Sequence, residues 1–451
     1  MTFESFKAEI FARAQAKGFT DYELFQSGGT SFSVRVFDGE IQEYKNAASE
    51  GIGFRGTYNG KMGYAASELM ALEVIDQMLD NAAANATIIE DETVEILYPG
   101  DASYSEVNAY NPALDEVDAG QKITWALEME AYAKSLDPRV KMADFCTVTN
   151  SNAAMSIANS HGLDLTRKSN VAMAYVIARV EENGVMKSGQ AWWAGRDFAD
   201  FDYKKIADDA VKKALSYLGA TSIESCEVPI VFDNETTRDF FGVFTSIFMA
   251  ENGQKGFSLL NKDKLGETIA APHVTLRDDG ICTDSLGSMA FDAEGVATQQ
   301  KAIIENGVLT SLLYNLKSAA KDGVKSTGNA AKQGHGGAIT TSTTNFYLQP
   351  SDKSFDDLLA GIERGVLITE MAGLHSGANA VSGDFSFSAE GFLIENGKLI
   401  QPLEQITVAG NFYELLKNID AVGNDLRFRS MGGGGMGMPS IKVNGLKISG
   451  M

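Results

Sequence analysis

Polar and apolar residues alternate from Ser31 to Val36. Phe32, Val34 and Val36 fall on one side and Ser31, Ser33 and Arg35 on the other, the period of a half-buried strand. Asp38-Gly39 then supplies a tight reversal into EIQEY, and Asn59-Gly60 does the same inside GIGFRGTYNGKMGYAAS, so two hairpins are predicted. Helical spacing brackets them. Before the hairpins, Phe3, Phe6, Ile10 and Phe11 recur at helical intervals with charges between them; after them, Leu69, Leu72, Ile75, Met78 and Leu79 form one stripe.

The stretch from about Val94 to Val117 contains Pro99 and Pro112 and little periodicity, which predicts a connection. A helix AGQKITWALEMEAYAKSLD follows and ends before Pro138. Strand-like runs come next at VKMADFCTVTN and at VAMAYVIARVEENGVMKSGQAWW, the latter hinged at Asn183-Gly184, and the helix YKKIADDAVKKALSYLGA closes on Gly219. Composition shifts at TSIESCEVP. Beyond it KAIIENGVLTSLLYN, GFLIENGKLIQP and IKVNGLKI each set Asn-Gly between apolar runs and predict three further hairpins. The likeness of IIENGVL and LIENGKL reflects recurrent turn chemistry, since their flanks differ. Helices punctuate this part at SDKSFDDLLAGIERG and NFYELLKNI. The run FFGVFTSIFMAENG, residues 240–253, reads as a buried helix after the strand VPIVF, capped by Asp233 or Asn234 and stopped by Asn252-Gly253.

These elements predict an α+β protein. An N-terminal α/β region of hairpins and helices spans 1–222, with sub-regions of about 1–90 and 115–220, and a β-rich domain with a few helices spans 223–451. Two or more domains are what 451 residues lead one to expect.

Charge narrows the partners. A formal charge of −22 repels phosphate backbones, which argues against direct nucleic-acid binding. No apolar run approaches the roughly 20 residues that span a bilayer, and the first helix lacks an apolar signal core. Cys146, Cys226 and Cys282 are odd in number and widely spaced, which suits a reducing compartment, and a cytoplasmic protein is expected.

Candidate chemistry is sparse. His161, His273, His335 and His375 are the only histidines, and none lies within five residues of another histidine or a cysteine, so no local metal-ligand pair exists. His335 sits in the small-residue stretch STGNAAKQGHGGAITTSTTN. His375 precedes a strand in which Asp384, Ser386 and Ser388 alternate with Phe385, Phe387 and Ala389. A hydrolase assembled from His335, His375 and Asp384 is therefore one reading, though no G-x-S-x-G elbow accompanies it. The glycine cluster MGGGGMGMP, residues 431–439, lacks the features of a phosphate loop and reads as a flexible loop.

Taken together, GIGFRGTYNGKMGYAAS, VPIVFDNETTRDFFG, FDAEGVATQQKAIIENGVLTSLLYNLKSA, STGNAA, VSGDFSFSAEGFLIENGKLIQPLEQITVAGN and VGNDLRFRS resemble the TldD/PmbA family over nearly the whole chain. The resemblance implies a cytoplasmic metallopeptidase system, dimeric, in which two related subunits enclose a chamber that cuts unfolded peptides. An old label for the family is modulator of DNA gyrase, and the acidic charge makes any such effect indirect. TldD-like members carry His-Glu-x-x-x-His on the helix after the PIVF strand and a cysteine after the GND motif. Here Gly242, Val243 and Ile247 occupy the helix positions and no cysteine follows Asp425. This departure resembles the PmbA (TldE) branch, which lacks the zinc motif. It implies no metal or cofactor in this chain, zinc in a TldD-like partner subunit, and no catalytic residue of its own. This chain would then contribute chamber wall and strand edges for peptide. The alternatives are a free-standing homodimeric hydrolase and a scaffold or binding module.

Overall fold

The computed structural model describes residues 1–88, 95–431 and 434–450. The first part is a single antiparallel sheet with helices on one face. Helix α1 (Phe3–Lys17) leads into strands β1 (Tyr22–Phe37), β2 (Glu40–Tyr58) and β3 (Lys61–Ser67), then α2 (Leu72–Ile88). After the one-turn helix α3 (Pro112–Glu116) come α4 (Ala119–Ser135), β4 (Val140–Asn159), β5 (Asp164–Glu182), β6 (Val185–Gly195) and α5 (Tyr203–Ser216). The strand order is β3-β2-β1-β4-β5-β6.

Side-chain alternation explains what covers each face. Leu24, Phe32, Val34 and Val36 share one face of β1; Leu24 packs with Phe6, Ile10, Ile75 and Met78 under α1 and α2, and the other three pack under α4 and α5. Phe25 points the opposite way, toward the C-terminal half, with Met155 and Ile157 of β4. The hairpin turns take the conformation that a two-residue reversal demands: Asp38, Asn59 and Asn183 have φ of 55°, 52° and 52°, each followed by a positive-φ glycine. Two details differ from the expectation. The second helix begins at Leu72, which leaves Leu69 and Leu72 exposed; of the expected stripe Ile75, Met78 and Leu79 are buried, and the buried side continues through Ala82 and Ala86. The connection expected from about Val94 to Val117 is irregular over 95–111 but ends in the helix α3, while Val94 lies outside the described residues.

The second half runs β7 (Cys226–Glu227), β8 (Ile230–Phe232), α6 (Asn234–Phe244), α7 (Ala250–Gln254), β9 (Leu276–Asp279), β10 (Gln300–Glu305), β11 (Val308–Leu309) and α8 (Leu316–Asp322). It continues with β12 (Ala330–Lys332), β13 (Ile339–Thr341), β14 (Asn345–Leu348), α9 (Phe355–Leu359), β15 (Arg364–Ala372), β16 (Asp384–Glu395), β17 (Lys398–Asn411) and α10 (Phe412–Asn418). The last strands are β18 (Ile419–Val422), β19 (Arg427–Met431), β20 (Gly434–Met438), β21 (Ile441–Val443) and β22 (Lys447–Ser449). An eight-stranded sheet has the order β18-β21-β8-β15-β16-β17-β22-β7, and a six-stranded sheet the order β11-β10-β9-β14-β20-β19. The fold is the mixed α+β arrangement expected, with a β-rich C-terminal half.

Three local expectations fail there. IKVNGLKI is not a hairpin: β21 pairs with β8 and β18, and β22 with β17 and β7. Gly445 has φ of 76° but Asn444 does not reach positive φ, whereas a type I′ turn needs both. In a flat sheet β21 and β22 would lie about 24 Å apart at the ordinary strand spacing. The four Cα steps from Val443 to Lys447 reach about 15 Å at most, so the sheet is rolled. The glycine cluster is not a loose loop either. Gly434–Met438 pairs in parallel with β14 and antiparallel with β19, and a methyl on Gly435 would stand 2.2 Å from Ser285 Oγ. Glycine is there because backbone and neighbouring chain touch; Gly432-Gly433 lie outside the described residues.

The third is the run at 240–253. α6 stops at Phe244, one 3-10 turn follows at Thr245–Phe248, Met249 is extended, and only then does α7 form. The break comes from tertiary pairing: Ala250 N donates to Leu313 O (2.9 Å) and Leu313 N to Phe248 O (2.9 Å). Side chains take the carbonyls that a continuous helix would have used. Thr245 Oγ1 donates to Gly242 O (3.1 Å), Asn252 Nδ2 to Ser246 O (2.8 Å) and Ser258 Oγ to Ile247 O (2.8 Å). The apolar face is as expected. Phe240, Phe241, Phe244, Ile247 and Phe248 are buried, and Phe244 stacks on Phe412 at 4.3 Å with 8° between the rings.

Candidate functional site

The face of the N-terminal sheet turned away from its helices meets the C-terminal half along a seam. Phe25, Met155, Ile157 and Leu163 on the sheet side pack against Phe291, Ala293 and Ala330. Beside this contact is a cavity of about 200 Å³. Its sheet wall is Phe25, Met155 and Arg167, and its other walls come from the end of α6 at Gly242 and Thr245, from Gly328–Lys332 and from Gly434–Met436. A neighbouring groove of about 240 Å³ is lined by Arg55, Tyr64, His335 and Gly336 and shares Phe25 and Lys332 with the first cavity.

Charged groups concentrate here. Arg55 Nε donates to Glu23 Oε1 at 2.7 Å, and Nη1 to Glu95 Oε2 at 3.2 Å; both Arg55 and Glu23 are buried. The guanidinium keeps one donor over, because Arg55 Nη2 is buried with no hydrogen-bond partner among the described residues. Asp292 organises the loop that carries Phe291. Its Oδ1 accepts from Glu294 N (2.9 Å) and Val296 N (3.0 Å), and its Oδ2 from Ala330 N (2.9 Å). Burial pushes the Asp292 carboxyl up against the pull of these backbone donors, and Glu294 is raised too, by burial and then by the Asp292 charge. Glu294 Oε2 accepts from Leu316 N at 2.8 Å.

Two cations stand apart from this network. The Lys332 ammonium lies 4.4 Å from the centre of the Phe25 ring, and the Arg167 guanidinium 5.7 Å from that of Phe291. Neither makes a hydrogen bond or ion pair among the described residues. Burial lowers the Lys332 ammonium to about 8, with Arg55 adding to the shift and Glu23 opposing it. Arg167 is also lowered by burial, to about 10, and Asp292 opposes that shift.

His335 belongs to the groove. Methyl groups on Gly51 and Gly53 of β2 would strike its ring and its carbonyl, each at 2.1 Å, so those glycines let the 333–337 segment lie on the sheet. His375 is exposed in the turn before β16. Asp384 is tied to Asn411 Nδ2 (2.9 Å) and Ser382 Oγ (2.7 Å), which hold its carboxyl below its ordinary range. His375 and Asp384 line neither seam cavity and share no hydrogen bond with each other or with His335. His161 pairs with Asp21 (2.7 Å) at the surface, and His273 is exposed.

Of the three helix positions singled out in the sequence, only Gly242 reaches the cavity, where a methyl would meet Met436 Sδ at an ordinary 3.7 Å. Val243 is half-buried against the core and Ile247 is fully within it. Among the described residues no group of three or more His, Cys, Asp or Glu side chains gathers as a metal site. Sequence reasoning passed over Arg55, Arg167, Asp292, Glu294 and Lys332. The available signal was weak: small or apolar residues crowd both faces around Gly51–Gly56, which marks a strand covered on both sides, with Arg55 set among them.

Models of the PmbA/TldA metallopeptidase C-terminal domain, central domain and domain 1 match residues 225–450, 112–218 and 22–86. The chain is 29% identical over 434 residues to the metalloprotease PmbA of Escherichia coli O157:H7, covering 94% of this chain and 92% of that one. A crystal structure from Thermotoga maritima MSB8, of a protein named for modulation of a DNA gyrase, is 31% identical with a TM-score of 0.90 and covers 99% and 100% of the two chains. TldE from Thermococcus kodakarensis is 25% identical with a TM-score of 0.89, covering 98% of this chain and 100% of its own.

Proposed function

The chain belongs to the TldD/PmbA metallopeptidase family, and from that premise we propose that it is the non-catalytic, metal-free subunit of a cytoplasmic two-subunit peptidase. The observation that carries this reading is the make-up of the seam cavity. Zinc needs three protein donors of the His, Cys or carboxylate kind with one position left open for water. The cavity instead presents Gly242 where the resemblance implies the first histidine, and the second histidine's place is taken by Ile247 inside the core. The charged groups that line it are the cations Arg167 and Lys332 with one carboxylate, Asp292, whose two oxygens already accept backbone hydrogen bonds. Such a donor set does not fit zinc. A TldD-like partner would bring the metal and the general-base glutamate, and this chain would form part of the chamber wall. Edge strands with a single partner, such as β6 and β19, offer backbone groups to which an extended, unfolded peptide can add. That none of the described helices is long and apolar enough to cross a membrane is compatible with this role.

The test is co-purification with the TldD-like chain of the same cell, with peptidase activity and zinc measured for each chain and for the mixture. The reading requires no stoichiometric zinc and no activity in this chain alone, with full activity on mixing. About one tightly held zinc in this chain, or cleavage by it alone, would sink the proposal. A partner whose rate is the same with and without this chain would reduce its role to that of a scaffold.

A further inference from the structure

We propose that the seam cavity binds the C-terminal carboxylate of a peptide, held between the Lys332 ammonium and the Arg167 guanidinium. In a chain with 38 basic and 60 acidic residues almost any cation can find a carboxylate, yet neither of these two half-buried ones pairs with one among the described residues. Both line the same cavity, and each rests only on an aromatic face, Lys332 on Phe25 and Arg167 on Phe291. Cations withdrawn from water without a partner are costly, and a structure that keeps two in one cavity gains most from an anion placed between them.

A third donor points the same way. Arg55 Nη2 is buried without a partner among the described residues, and Arg55 lines the groove that shares Lys332 and Phe25 with the cavity. Gly53, the cross-strand partner of Phe25, lies beside the ammonium, where a methyl would stand an ordinary 3.5 Å from Lys332 Nζ.

The charges around the pair select the kind of anion. Lys332 faces Arg55 and Glu23, which already pair with each other, and Arg167 faces Asp292. Two cations and the one carboxylate opposite Arg167 leave a single positive charge, which suits a monoanionic carboxylate better than a phosphate dianion. Met155, Met289 and Met436 beside Phe25 form an apolar part of the wall, against which the organic chain of a carboxylate can lie, and Thr245, Asn329 and Ser342–Thr344 make the rest of it polar, as the backbone of a peptide end requires. About 200 Å³ admits one or two residues, so the site would read the end of a peptide and not its length.

The source of the peptide rests on the peptidase reading; the binding does not. It is measured on the isolated full-length chain by titration calorimetry with N-acetyl-Ala-Ala and with its C-terminal amide. The free acid should bind at least about tenfold more tightly than the amide. Lys332→Met and Arg167→Met should each abolish that preference, and Lys332→Arg should keep most of it, with thermal unfolding showing that every variant is folded. Equal binding of acid and amide, no binding of either, inorganic phosphate displacing the acid at equal concentration, or a preference that survives both methionine variants would overturn the proposal. Loss of binding here leaves the pairing with a peptidase subunit intact, and failure of that pairing leaves carboxylate binding standing.

Discussion

The two sides of α6 face opposite physical worlds. One side sends Phe240, Phe241 and Phe244 into an aromatic core where rings stack and meet edge to face, with Phe412 at 4.3 Å and Phe385 at 4.8 Å. The other side ends at Gly242 and opens onto a cavity lined by Arg167, Asp292 and Lys332, of which the two cations have no partner among the described residues. Apolar contact is non-directional and is satisfied by any well-packed neighbour, whereas a buried ion is satisfied only by a specific group in a specific place. The core side therefore stabilises the fold on its own, and the seam side is arranged around charge.

Substitutions should separate the two. The largest loss is expected for Phe244→Ala, which removes the ring stacked on Phe412 and leaves a void in fixed surroundings, costing about 4 kcal/mol in urea unfolding. A loss under about 1 kcal/mol would mean that the core collapses around the gap. Next comes Arg55→Met, which strands Glu23 as a buried unpaired carboxylate and should cost about 3 kcal/mol. The sharper measurement is the double variant Glu23→Gln/Arg55→Met, which should recover at least half of that loss because no buried charge is left over. No recovery would assign the Arg55 contribution to packing and not to charge.

The same contrast decides what the sequence made legible. Periodicity located the apolar faces because burial is a property of one residue and its spacing: Phe32, Val34 and Val36 were readable, as were the Phe stripe of α6 and the Asn-Gly turns at 306 and 396. It failed where a distant segment sets the conformation. Leu313 extends Met249 and interrupts the helix, β14 turns Gly434–Met438 into a strand, and pairing with β8 and with β17 parts β21 from β22. The cavity was the least legible feature. Phe25, Arg167, Asp292 and Lys332 come from four remote stretches, and no local pattern states that they meet. The absence at Gly242 and Ile247 was visible only through resemblance.

A pH titration sharpens the seam side further. Asp292 and Glu294 have folded-state pKa values above their ordinary ones, so the folded chain holds protons that the unfolded chain has released. Their contribution is complete below the ordinary carboxyl range of about 4 and is lost as pH rises toward neutrality and above. Lys332 runs the other way. Its pKa falls to about 8, so its contribution is complete above its ordinary value and is lost as pH drops through 8. Stability from the seam should thus decline from mildly acidic pH to a minimum near pH 8 and recover above it. The expected readout is a Tm that falls by several degrees between pH 5 and 8, a slope that Glu294→Gln flattens, and a rise above pH 8 that Lys332→Met removes. An unchanged slope in both variants would place the titration elsewhere.

The smallest expected effect falls on the residue that divides the two sides. Gly242 lies within α6 and has an ordinary helical backbone, so nothing in its conformation requires glycine. A methyl there would meet only Met436 Sδ, at van der Waals distance. Gly242→Ala should therefore stabilise the chain by about 0.5–1 kcal/mol, the helix preference of alanine over glycine, because the unfolded chain loses freedom and the cavity wall gives nothing up. The same change on the core side, at a position filled by a phenylalanine, is the one expected to cost most. If Gly242→Ala instead destabilised the protein, the cavity would be tighter than its walls indicate, and carboxylate binding should weaken with it. A gain in stability with binding unchanged would show that glycine at 242 marks room left open in the seam and not a backbone need.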